Sequence, residues 1–152
     1  MTVVRSNLDY ASTIWDPNLN KYKLALEKIQ RKAARWITGN HQRVASVTNM
    51  LTSLGLESLE ERRRASRLVL LYKILHEEVA VPPDELGLVR NQRTTRGLAT
   101  KDKLLVPSCK TTERSTHFVA KTVPQWNRLL ESTTSADSVQ TFKSRLSGVN
   151  PP

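Results

Sequence analysis

The chain has 152 residues, 25% charged and 38% hydrophobic, with 24 Lys and Arg against 14 Asp and Glu and a formal net charge of +10. This balance suits one folded domain and excludes global disorder, while a single cysteine, Cys109, excludes an internal disulfide or a cysteine-rich zinc site. No apolar run approaches the roughly 18 residues a membrane span needs, and the cationic excess favours an anionic partner, nucleic acid being the commonest, over a merely solvated basic surface.

Residues 1–15 read as a short amphipathic helix, or a strand leading into one, with Leu8, Ala11 and Trp15 at spacings of three and four. Arg5, Asn7 and Asp9 interrupt any signal-peptide core, so an intracellular protein, nuclear or cytoplasmic, is expected. After the turn DPNLN, residues 22–38 form the clearest amphipathic helix, stopped by Gly39-Asn40. Its apolar stripe is Tyr22, Ala25, Leu26, Ile29, Ala33, Trp36 and Ile37, expected to face inward. Opposite lie Lys28, Arg31, Lys32 and Arg35, a basic row, with Glu27 placed to pair with Arg31 one turn on. Residues 46–54 predict a shorter helix with Val47, Met50, Leu51 and Leu54 inward and Gly55 at its end.

The stretch 58–79 predicts a central helix. Ser58 and Glu61 have capping-box spacing, and Pro82-Pro83 is expected to end the element. Ala65, Leu68, Val69, Tyr72, Leu75 and Val79 share one broad face, while Leu70 and Ile74 lie opposite, in line with Arg63 and Arg67. A helix that is apolar nearly all round in its second half is packed on two sides. From 84 to 123 the helical period disappears. Between 90 and 121 eight basic residues, among them Arg90, Arg93 and Arg96, face only Asp102 and Glu113. Leu104–Val106 and Phe118–Val119 could pair as a short β-hairpin. Pro124 is expected to open a helix carrying Trp126, Leu129 and Leu130, and a last helix begins at Ser135 with Val139, Phe142 and Leu146 inward.

Metal and nucleophile chemistry find no support. His41, His76 and His117 lie far apart, there is no glycine-rich phosphate loop, and the pairs Glu60-Glu61 and Glu77-Glu78 occupy adjacent helix positions that point about 100° apart. No catalytic, cofactor-binding or metal-ligating residue is expected. The basic row has two readings. It is the wet face of an amphipathic helix, or it is a set of cations spaced to meet successive phosphates, supported by the further clusters at 62–67 and 90–96. Trp36 and Trp126 could stack on bases, but both run in phase with aliphatic residues and are expected in the core.

Four blocks in order, LDYASTIWDPNLNKYKLALEKIQRKAARWITG, SVTNMLTSLGLESLEERRRASRLVLLYKIL, TVPQWNRLL and SADSVQTFKSRL, resemble the segment that follows the polymerase domain in LINE-type (non-LTR) retrotransposon reverse transcriptases of the jockey/chicken-repeat-1 kind. The resemblance runs from about Val4 to Leu146. It implies descent from an RNA-directed DNA polymerase and a helical, thumb-adjacent part that helps hold template RNA and primer–template. It implies no activity of this chain's own, because the family's polymerising aspartates lie upstream in a Tyr-x-Asp-Asp-type turn and no Asp-Asp pair occurs here. Ser6 stands where the family usually has a proline before the Leu-x-Tyr-Ala block, with Met1 just ahead of it, which fits a truncated copy of such an element or a gene model that covers a relic of one.

The expectation is therefore a mostly α single domain: an N-terminal helical part (1–83), a basic irregular segment with the hairpin (84–123) and C-terminal helices (124–152). The expected function is non-catalytic binding of RNA or DNA backbone through Lys28, Arg31, Lys32, Arg35, Arg63, Arg67, Arg90, Arg93 and Arg96. The alternatives are a structural remnant that presents its Leu70/Ile74 face to a protein or to a second copy, and a copy with no function.

Overall fold

The computed structural model describes residues 2–42, 45–90, 103–108, 111 and 116–148. Among them the chain is mostly helical. The helices are α1 (Thr2–Asp9), α2 (Ser12–Trp15), α3 (Asn20–Thr38), α4 (Val47–Ser53), α5 (Leu59–Leu75), α6 (Phe118–Trp126), α7 (Glu131–Thr134) and α8 (Val139–Leu146), with a 3₁₀ turn at Pro83–Leu86. None of them is long and apolar enough to cross a membrane. The residues group into two compact units, Met1–Arg64 and Ala65–Pro152. The boundary falls inside α5, away from the composition changes at 83 and 123.

In the first unit α3 packs on α4 and α1, but through a face that hydrophobic periodicity does not mark. Gln30 and Ala34 are its buried residues, and Tyr22, Ala25, Ile29, Trp36 and Ile37 are exposed. The helix is turned by roughly one residue step, about 100°, from the expected orientation. The reason is a polar seam at positions 23, 27 and 30, continued by the small Ala34. Lys23 Nζ pairs with Glu60 at 2.6 Å, Glu27 Oε2 accepts from the Leu59 N–H at 3.1 Å, and Gln30 Nε2 donates to the Glu57 carbonyl at 2.9 Å. Three partners in residues 57–60 thus hold α3 against the start of α5. Ala34, having only a methyl group, lets Met50, Leu51 and Leu56 close on the helix. Ser46 caps α4 by accepting from the Asn49 N–H. Gly55 ends it at φ +62°, with Leu56 N–H returning to the Leu51 carbonyl at 2.8 Å.

Ser58 accepts from the Glu61 N–H at 3.2 Å, the first half of the expected capping box. The Glu61 carboxylate is engaged by Arg64 one turn on. At the other end, Pro82-Pro83 does not terminate α5. The helix stops at Leu75, where Glu78 N–H bonds the Lys73 carbonyl at 2.9 Å and Glu77 N–H the Ile74 carbonyl at 3.2 Å. This is a Schellman motif with Glu77 at its left-handed position, φ +56°, where glycine is usual.

The core of the second unit gathers Leu68, Leu71, Tyr72 and Ile74 of α5, Leu88, Leu104, Val123 and Trp126 of α6, Ala136 and Phe142 of α8. Tyr72 stacks on Phe142 at 4.6 Å between centroids, Phe142 lies 5.7 Å from Trp126, and Tyr72 Oη donates to the Ala136 carbonyl at 2.6 Å. Ile74 is buried and Leu70 packs against this cluster, so the face proposed for a partner is filled from within the unit. The expected hairpin does not form among the described residues. Phe118 and Val119 open α6 instead, and Leu104 makes an isolated antiparallel bridge with Arg90. Asn127 takes the place of a second strand: its amide donates to the Leu104 carbonyl at 2.8 Å and accepts from the Leu104 N–H at 2.9 Å. Pro124 lies inside α6, not at its start, so the Ala120 carbonyl loses its ladder donor, while Asn127 N–H still bonds the Val123 carbonyl one step further on. The last helix begins at Val139, capped by Ser138, four residues later than expected.

Candidate nucleic-acid interface

The basic candidates separate into three groups. Lys28, Arg31 and Lys32 are exposed on α3, and Lys21 continues their side of the helix two turns before Lys28. None of the four has an ion-pair partner among the described residues. Glu27, expected to neutralise Arg31, is turned onto the Leu59 N–H instead. Arg35 belongs to the row only in part, since it is half-buried and its Nη1 donates to the Gln42 carbonyl at 2.9 Å, bracing the loop after α3.

Arg63 and Arg67 leave the candidate set. Arg63 is 1% exposed and its Nε donates to Asp16 Oδ1 at 2.8 Å; Arg67 is 4% exposed, with Nη2 a long 3.4 Å from Gln125 Oε1. The line Arg63, Arg67, Ile74 is the inward side of α5, and a guanidinium held there cannot reach a phosphate. Arg62 is likewise engaged, with Asp9. The arginine run that looked like a solvated cluster ties α5 to the residues before α3 in the first unit and to α6 in the second.

Arg90 belongs to the second unit, is exposed, and lines a cavity of about 460 Å³ together with His76, Leu104, Trp126 and Asp137. His76 covers that side of Tyr72, its ring stacked at 4.1 Å. Burial, and after it the carboxylates of Glu78 and Asp137, push the Tyr72 phenol above its ordinary range. Arg93 and Arg96 lie outside the described residues. No group of three His, Cys, Asp or Glu among the described residues is placed to hold a metal ion.

Sequence reasoning missed the aromatic component of α3. Trp126 is buried as expected, but Trp36 is 73% exposed, with Tyr22 at 52% and Ile29 at 48% on the same line of the helix. The signal was present in the polar residues at 23, 27 and 30, whose spacing competes with the apolar stripe for the inward side. No protein-family model, curated protein or solved structure matches this chain.

Proposed function

We propose that the chain is a non-catalytic helical segment descended from a non-LTR retrotransposon reverse transcriptase, and that it holds RNA or DNA by phosphate contacts from α3. The observation that carries this reading is the exposure of Lys28, Arg31 and Lys32 on one side of a 19-residue helix, with the carboxylate beside them in sequence, Glu27, committed elsewhere. Having no ion-pair partner among the described residues, these cations meet a polyanion with no such pair to break first, and each phosphate they neutralise releases condensed counterions. The order of the sequence blocks supports the descent, and the net charge of +10 supports the class of partner. Arg90 is a separate cationic position on the second unit.

The test is a salt titration of binding. Replacing Lys28, Arg31 and Lys32 together by Gln keeps helix propensity nearly constant. The log–log salt slope is expected to flatten by up to about 0.7 per contact on a single strand, or about 0.9 on duplex DNA. A folded triple variant that retains both the parent's affinity and its slope removes the row from the interface.

A further inference from the structure

The exposed line Tyr22, Ile29, Trp36 repeats at seven residues, two turns or about 10.5 Å apart, and runs beside Lys21, Lys28 and Lys32. The Lys21 ammonium sits 4.7 Å above the Tyr22 ring. Two large aromatic side chains about 21 Å apart along a 19-residue helix, with a cationic flank and an aliphatic step between them, are exposed, and among the described residues only Lys21 lies over either ring. We propose that α3 is a platform for single-stranded nucleic acid: unpaired bases stack on Trp36 and Tyr22 while Lys21, Lys28 and Lys32 take the phosphates.

Resting as it does on the reading of the α3 row as phosphate contacts, the proposal adds the strandedness of the ligand. A duplex keeps its base faces inside its own stack, so it can use the cations of α3 but not the rings. Unpaired bases offer a π-face to every exposed aromatic, whatever their sequence. Charge decides against a second copy as the occupant. Apposed α3 helices would bring Lys21, Lys28 and Lys32 of both chains together, and Glu27 cannot offset them while it holds the Leu59 N–H.

The experiment uses the full chain and compares a fluorescein-labelled oligouridylate with the RNA duplex of the same length. Trp36 is replaced by Leu and, separately, by Phe; because the side chain is largely exposed, both variants should keep the parent's helicity, checked by circular dichroism. The expected result is preference for the single strand, binding weakened about fivefold to a hundredfold by Trp36→Leu and largely restored by Trp36→Phe. Duplex binding should be indifferent to both. Equal affinity for the two ligands, or a Leu variant that binds oligouridylate like the parent, overturns the platform and leaves the cationic row standing. Failure to bind either ligand overturns both. Binding to phosphatidylserine-containing vesicles, or self-association in sedimentation, that is lost in the Leu variant while oligouridylate binding is not, assigns the line to another occupant and overturns the proposal.

Discussion

Removing Asp16 tests whether the α5 arginines are structural. The Arg63–Asp16 pair is 2.8 Å long, with side chains 1% and 6% exposed, so Asp16→Ala leaves a guanidinium buried without its counter-charge. Breaking a buried pair from one side costs about 3–5 kcal/mol, a large share of the roughly 5–15 kcal/mol that stabilises an ordinary domain. The comparison lies close by in sequence. Arg62 pairs with Asp9 across side chains 31% and 26% exposed, and Asp9→Ala should cost at most about 1 kcal/mol. Urea titration followed by far-ultraviolet circular dichroism reads both, as a shift in midpoint at constant slope. A second variant separates charge burial from packing. Arg63→Met with Asp16→Leu removes both charges and should recover most of the loss, because apolar side chains of similar volume replace a buried pair well. An Asp16→Ala penalty no larger than that of Asp9→Ala would refute the reasoning and return Arg63 to the set of cations available to a ligand.

Glu77→Gly should stabilise the second unit by about 0.5–1 kcal/mol in the same titration, since Gly holds φ +56° at the end of α5 without the penalty of a Cβ. Tyr72→Phe should cost about 1 kcal/mol through loss of the bond to the Ala136 carbonyl. The same variant should also reduce the alkaline loss of stability. Folding raises the Tyr72 pKa, so its contribution is complete below the ordinary value of 10.0 and is lost as pH rises beyond it, a difference that stability measured at pH 8 and in the alkaline range reads out. Glu27→Ala should destabilise the first unit by about 1 kcal/mol by orphaning the Leu59 N–H, while leaving the salt slope of nucleic-acid binding unchanged because Arg31 has no share in that carboxylate.

Much of the helix inventory was legible because its signals are local. Ser46, Gly55, Ser58 and Gly39 stand where helices start and stop, and the apolar second half of α5 does pack widely in its unit. What was not legible depends on partners distant in sequence. The side of α3 that turns inward is chosen by Gln30 and Glu27 reaching Glu57 and Leu59, bonds that a helical wheel weighs as solvent-facing polarity. The burial of Arg63 depends on Asp16, 47 residues earlier. The end of α5 could not be placed either, because a Schellman turn with Glu at its left-handed position leaves no sequence mark. The proline pair downstream was the only visible stop. Among the candidate cations, Lys28, Arg31 and Lys32 kept the exposure expected of them, while Arg63 and Arg67 had the right charge on the wrong side of their helix.

The seam between α3 and residues 57–60 bears on the order in which the first unit assembles. One cap of α5, from Ser58, is local and available as soon as that turn is made; the other, from Glu27, comes from 32 positions back. During synthesis the donor of that distant cap is made last, so the carboxylate, the amide and Lys23 are already in the chain when Glu57, Leu59 and Glu60 emerge. Kinetically, substitutions at Glu27 and Gln30 should slow the closure of the 57–60 segment onto α3, while substitutions that weaken only the far end of α5 should act on unfolding.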